Sequence, residues 1–176
     1  MNTDLFFFFN NLAGKSNFFD GLVVFIANDL QWVIILFALI YFLTFDKRIK
    51  RFFIFAILVL FAGMIAHILK SVIFNFPRPF AVLEGVIQLL DKPAFESFPS
   101  GHATIFAAIS TVMYMYHKQI GWVFIVLTVM IGISRIIAGV HFPIDILAGF
   151  FLGFATVFFS YKVLRKAFFR LRDYIE

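Results

Sequence analysis

The 176-residue chain is 62% hydrophobic and only 14% charged, with a mean hydropathy of +0.98. A soluble domain of this length is nearer half apolar and about a quarter charged, so the composition excludes a water-solvated globule and makes lipid the solvent. The net charge of +5 comes from basic residues at the ends of apolar runs, which excludes a nucleic-acid footprint, and the absence of cysteine excludes thiol catalysis and thiolate metal sites.

A spanning helix needs about 20 mostly apolar residues. Residues 2–27 are interrupted by Asn10, Asn11, Gly14, Lys15, Ser16 and Asn17. They predict an interfacial helix followed by a half-embedded one, with a sixth span as the alternative. Nothing in this stretch has the basic start and small-residue cleavage site of a signal peptide, so it is expected to be retained. Asn28 and Asp29 sit just before the first full span, which is expected over 31–45, followed by 52–69, 101–116, 120–133 and 146–161. The fold class is therefore an all-α integral membrane bundle of about five helices. No linker or composition shift divides it, so 1–176 is expected to be one domain. Most of the 29 Phe read as lipid-facing bulk.

Lys47, Arg48, Lys50 and Arg51 lie between the first two spans, Lys118 between the third and fourth, and Lys162, Arg165, Lys166, Arg170 and Arg172 after the fifth. Five spans put these ten of the 15 basic residues on one side. By the positive-inside rule that side is the cytoplasm. The basic, Phe-containing stretch 161–172 is then the cytoplasmic end of the last helix, resting on anionic lipid headgroups.

The polar groups that the spans do not need fall in three clusters on the other side. Lys70 is followed by Phe76-Pro77-Arg78-Pro79-Phe80. The prolines stiffen the turn and aim Arg78, whose planar fork suits two phosphate oxygens. The plainer reading is two cations marking a membrane boundary. Pro99-Ser100-Gly101-His102 opens an apolar helix. Ser100 is a natural N-cap, the free N–H groups there attract an anion, Gly101 permits close approach, and His102 lies in the first turn. An ordinary capped helix with an interfacial histidine is the alternative. In Ser134-Arg135…His141…Asp145, Gly139 ends one helix and Pro143 starts the next. Asp145 is one turn beyond His141 and is placed to accept a hydrogen bond from one ring nitrogen, leaving the other as a lone pair. A structural His–Asp pair at a helix junction is the alternative. His67 reads as a buried, hydrogen-bonded residue one turn before Lys70, and His117 as a solvated loop residue. His102, His141 and Asp145 could ligate zinc in principle, but three neighbouring cations favour an anion, so no metal site is expected.

The order and placement of these segments resemble the signature of the type 2 phosphatidic acid phosphatase superfamily, membrane lipid phosphatases related to vanadium haloperoxidases. The second and third motifs match in full, and the likeness covers about 52–161. One departure stands in the first motif, where seven residues separate Lys70 from Arg78 and the family usually has six. The resemblance implies a cofactor-free phosphoryl transfer in which His141 attacks phosphorus, Asp145 orients it, and His102 protonates the leaving oxygen and then helps activate water. Lys70, Arg78, Ser100, Gly101 and Arg135 would hold the phosphate oxygens. The small, outward-facing form and the segment Phe95-Glu96-Ser97-Phe98 are similar to bacterial undecaprenyl pyrophosphate phosphatases. That implies a lipid phosphate substrate, an inner-membrane location and a site facing the periplasm or cell exterior. Phosphatidylglycerophosphate, phosphatidic acid and lipid A phosphates are rival substrates. A phosphate-lipid binding or transport protein without turnover, and halide peroxidation with vanadate, are the readings from other classes.

Overall fold

The computed structural model describes the backbone of residues 2–44 and 49–173, and the side chains of 2–44 and 53–163. A short helix, α1 (Asn2–Asn10), precedes a long one, α2, that runs unbroken over Asn17–Thr44. α3 (Ile49–Ile68) continues into a wide π-turn, Leu69–Phe74. A single turn, α4 (Pro79–Val82), and an irregular loop lead to α5 (Gly101–Tyr116), α6 (Lys118–Ile137) and α7 (Pro143–Asp173). The described residues are otherwise irregular, with no strand among them. Four stretches, Asn17–Thr44, Phe53–Val82, Lys118–Ile137 and Pro143–Val163, are long and apolar enough to cross a membrane. With α5 they form the expected five-column bundle of a multi-span membrane protein.

The first column differs from expectation. Residues 17–27 are the start of the first span, joined to 30–44 through a π-turn at Phe25–Asp29. The polar pair Asn28 and Asp29 read as a boundary, but Asn28 Nδ2 donates to Asp29 Oδ1 at 2.9 Å, so the two satisfy each other beside the helix. α1 has nine residues, a rise of about 13 Å, and is too short to be a sixth span.

Each column shows why it is helical and which face it hides. α2 buries Val23, Ala27, Ile34, Ala38 and Phe42, about one residue per turn along a narrow stripe. Trp32, Phe37 and Leu36 stand outward, Phe37 at 66% exposure. An outward face this apolar is stable only against lipid. α5 is the reverse: Ala103, Phe106, Ala107, Ile109, Val112 and Met113 are all buried. It is the central column, packed on α7, α6 and α3, so its 16 residues meet protein more than lipid.

Close approach of α7 to α5 depends on two glycines four residues apart. A Cβ on Gly149 would lie 2.7 Å from Ala103 Cβ and from the Ser100 carbonyl, and one on Gly153 would lie 2.9 Å from Ala107 Cβ. Small residues at this spacing let two backbones touch within a membrane. α6 is joined to α5 by polar contacts as well. Ser110 and Thr128 hydroxyls are 2.6 Å apart, and Thr128 also donates to the Phe106 carbonyl at 3.1 Å.

α1 is fastened by one side chain. Fully buried Asn10 donates to the carbonyls of Ile87 and Ile137, each at 2.8 Å, and accepts from the Ile87 N–H at 3.0 Å. Gly139 (φ +78) lies in the same knot, where a Cβ would come within 2.5 Å of the Ile87 carbonyl. The loop between α4 and α5 is thus fixed to the end of α6.

The chain crosses back and forth so that the starts of α2, α5 and α7 and the ends of α3 and α6 share one end of the bundle. At the other end, Tyr41 of α2 meets His117 edge-on at 6.4 Å. His117 is exposed there, as expected. Lys47, Arg48 and the side chains of Lys50, Arg51, Arg165, Lys166, Arg170 and Arg172 lie outside the described residues. Lys118 and Lys162 are the described members of that basic set.

Candidate active site

The three sequence clusters meet at one end of the bundle, and most of their contacts are backbone-anchored. Arg78 ends the stiff segment after α3. Its N–H donates to the Ala94 carbonyl at 2.8 Å, Nε to Pro93 at 2.9 Å, Nη2 to Glu96 at 3.3 Å and Nη1 to Val140 at 2.8 Å. Nη1 also lies 3.2 Å from His141 Nε2. The side chain is only 6% exposed. Three carbonyls and His141 take four of the guanidinium's five N–H groups, so its direction is fixed, one Nη2 N–H stays uncommitted, and its charge is not neutralised.

Arg135 is more deeply held, at 2% exposure, in the last turn of α6. Nη1 donates at 2.9 Å to the carbonyl of Ala27, inside the π-turn of α2. Its Nε has no hydrogen-bond partner among the described residues. A buried guanidinium with an orphaned donor and no carboxylate paired with it among the described residues is costly by itself, and it fits a site completed by an anion.

His141 lies between α6 and α7, where the left-handed Gly139 turns the chain and Pro143 starts the next helix. It is 2% exposed. Burial, then the charges of Arg135 and Arg78, holds its pKa well below the usual imidazole range, so the ring is neutral. Asp145 is at the expected position one turn on, but its Oδ2 is 3.5 Å from His141 Nδ1. The two atoms are close but no hydrogen bond joins them, and Nδ1 has no hydrogen-bond partner among the described residues. The reason is competition: the same Oδ2 accepts from the Ser97 hydroxyl at 2.6 Å and from the Phe142 N–H at 2.8 Å.

Ser100 caps α5 as its sequence suggests, its hydroxyl accepting from the Ala103 N–H at 3.5 Å. Its own N–H donates to the Asp145 carbonyl at 3.1 Å, which ties the second cluster to the third. Beside it, a Cβ on Gly101 would meet nothing within 4 Å, so open space lies over the helix N-terminus. His102, half-buried, follows in that first turn.

Lys70 lies inside the π-turn after α3, where the Asn75 N–H bonds to the Lys70 carbonyl five residues back, at 3.0 Å. A π-turn holds one residue more than an α-turn, which accommodates the extra residue between Lys70 and Arg78. The ammonium pairs with Glu96 Oε2 at 3.1 Å. His67 corrects its sequence reading: it is exposed and lines an apolar groove between α2 and α3 with Met64 and Leu39. Its position one turn before the π-turn faces lipid rather than the core.

Sequence reading missed three residues of this region. Ser97 was legible only as part of a familiar-looking segment, and its bond to Asp145 crosses 48 positions. Glu96, in a left-handed conformation (φ 67), and Asn10 likewise act through partners remote in sequence. Among the described residues no three His, Asp or Glu side chains gather as metal ligands would.

A family model described as the PAP2 superfamily matches residues 51–169. The chain belongs to the PAP2 superfamily. It is 32% identical over 167 residues to the bacitracin transport permease protein BcrC of Bacillus licheniformis, covering 94% of this chain and 82% of that one. It is 30% identical over 175 residues to the undecaprenyl-diphosphatase BcrC of Bacillus subtilis, covering 96% and 88%. Its structure is similar to the crystal structure of Aquifex aeolicus LpxE, with a TM-score of 0.75, 28% identity, and coverage of 92% of this chain and 94% of that one.

Proposed function

We propose that this protein is a membrane lipid phosphatase that hydrolyses undecaprenyl diphosphate to undecaprenyl phosphate. The observation that carries the reading is the approach of Arg78 Nη1 to His141 Nε2 at 3.2 Å. The lone pair of a neutral imidazole faces a cation, and when a phosphoryl group enters, that N–H turns to a phosphate oxygen and leaves Nε2 free for phosphorus. Similarity to an undecaprenyl-diphosphatase over nearly the whole chain supports the choice of substrate.

Phosphoryl transfer is mostly positioning and charge stabilisation, and each residue has a part in that. Nε2 of His141 attacks the terminal phosphorus, and the bridging P–O bond breaks in line. The leaving lipid phosphate takes a proton from His102. Asp145 steadies the imidazolium-like ring as its charge develops. Arg78, Arg135 and Lys70, with the Ser100 hydroxyl and the Gly101 N–H, hold the oxygens of the transferring group. Water, giving its proton to His102, then attacks the phosphohistidine, and inorganic phosphate leaves with His141 restored. The cation-rich cluster is at the bundle end opposite Lys118 and Lys162, which supports a site on the outer face of a bacterial cytoplasmic membrane. The chain works as one unit, because α1 and the loop before α5 both buttress that cluster.

His141→Ala and His102→Ala are expected to lower phosphate release by about 10³-fold or more with thermal melting in detergent unchanged. Undecaprenyl diphosphate, phosphatidylglycerophosphate, phosphatidic acid and lipid A offered side by side in EDTA identify the preferred lipid. Full activity in either variant refutes the mechanism. A second reading, lipid-phosphate binding for transport, draws on the permease name of the B. licheniformis relative. It requires binding of the same lipids without any phosphate release.

A further inference from the structure

The cations around the site are not all accounted for in the same way. Arg78 is held by four carbonyls and Lys70 by Glu96. Lys92 forms no ion pair or hydrogen bond among the described residues. Its position is nevertheless fixed from both sides. The next two carbonyls, of Pro93 and Ala94, are gripped by Arg78 at 2.9 and 2.8 Å. Three residues before it, the Leu89 N–H donates to the Ala138 carbonyl at 3.1 Å, three residues beyond Arg135. Leu90 is 8% exposed and its carbonyl accepts from the Gln88 side chain at 2.8 Å.

This anchoring holds the half-buried Lys92 one residue from the Pro93 carbonyl that Arg78 Nε grips. Partial burial first, then Arg135 and Arg78, lowers its pKa from the usual lysine value, with Asp91 opposing. A half-buried ammonium without a partner, on a loop whose neighbouring carbonyls are bound to Arg78, is unfavourable in the empty protein. It becomes favourable when the ligand brings more negative charge than two arginines balance. A phosphomonoester carries about two negative charges; a diphosphate monoester carries a further phosphate group that lies outside the reacting centre.

We infer that Lys92 binds the second phosphate of a diphosphate substrate, the one that stays on the lipid, and so selects diphosphates over monophosphates. The inference rests on the phosphatase reading and adds a binding group to it. Lys70, already paired with Glu96 on the same loop, is less available for that phosphate than Lys92.

Farnesyl diphosphate and farnesyl monophosphate share a tail and differ by one phosphate, and they serve as matched probes. Lys92→Gln is expected to raise KM for the diphosphate about tenfold, the size of one lost charge-assisted hydrogen bond, with kcat held within about twofold. KM for the monophosphate is expected to change by less than about twofold, which also certifies the fold. Lys92→Arg is expected to recover most of the loss, and Lys118→Gln, at the opposite end of the bundle, to change neither. Equal losses on both substrates, or none on the diphosphate, overturn the inference. Calorimetric titration with inorganic diphosphate and with phosphate tests Lys92 independently of turnover. Only diphosphate affinity is expected to fall in Lys92→Gln, and an unchanged diphosphate affinity overturns the inference. Wild-type protein that releases no phosphate from either lipid refutes the phosphatase reading instead.

Discussion

Nη1 of Arg78 stands 3.2 Å from Nε2 of His141. A guanidinium has only donors, so Nε2 presents its lone pair and the ring hydrogen sits on Nδ1. Burial beside Arg135 and Arg78 depresses the pKa of His141 well below its ordinary value of 6.5. The sign follows directly: a depressed histidine stays neutral as pH falls through its ordinary value and charges only at lower pH. At about pH 6, where an ordinary histidine is mostly protonated, the ¹⁵N resonances of His141 are expected to report the neutral Nδ1–H form. A His141→Asn variant identifies the signals, and a charged ring at that pH contradicts the arrangement.

Asp145 divides one oxygen among three neighbours, and the closest is Ser97, at 2.6 Å. Removing the serine hydroxyl frees Oδ2 to approach Nδ1 of His141 but also loosens the loop before α5. Ser97→Ala is expected to change kcat by about tenfold or less. Asp145→Asn, which offers a donor where the ring hydrogen points, is expected to lower kcat by about 10² or more. Steady-state kinetics of the two variants checks the ranking, and equal effects would mean that Asp145 acts only through Ser97.

Gly149 packs against the backbone that carries Ser100. Gly149→Ala places a methyl 2.7 Å from the Ser100 carbonyl, and overpacking of this kind costs about 1–3 kcal/mol. Melting temperature is expected to fall, and activity with it, because Ser100 and His102 open the displaced helix. Gly21→Ala, where a Cβ meets nothing within 4 Å, is the matched control and is expected to keep both.

Asn10 satisfies two carbonyls and one N–H of segments 77 and 127 positions away. Asn10→Ala leaves those groups unpaired, a loss of at least about 2 kcal/mol. The expected signature in detergent is a lower melting temperature together with faster proteolysis of the loop before α5. A protein that melts like wild type would show that α1 is dispensable.

What the sequence made legible was whatever depends on composition or on short spacing. Five columns, the cap at Ser100, the turn at Gly139 and the placing of Asp145 one turn beyond His141 each arise from residues within a few positions of one another. The start of the first span was not legible, because Asn28 and Asp29 read as a boundary when they are satisfied within a wide turn. Ser97 on Asp145, Ala27 on Arg135 and Asn10 on Ile87 were not legible either. Such bonds join a side chain to groups that only the folded topology brings near, and no local pattern announces a backbone carbonyl as a partner. His67 failed for a related reason: in a lipid-solvated helix a polar residue one turn from a site can still face outward.

The π-turn at Leu69–Phe74 gives the spacing of the first motif a different unit of measure. Counted along the chain, Lys70 and Arg78 are one residue further apart than is usual in the family. Counted as axial rise, the wide turn packs the additional residue into extra circumference rather than extra length. The wide turn therefore takes up an inserted residue sideways, before the irregular stretch that carries Arg78. A count of residues makes the first motif one longer here, and the π-turn is where that residue is lodged.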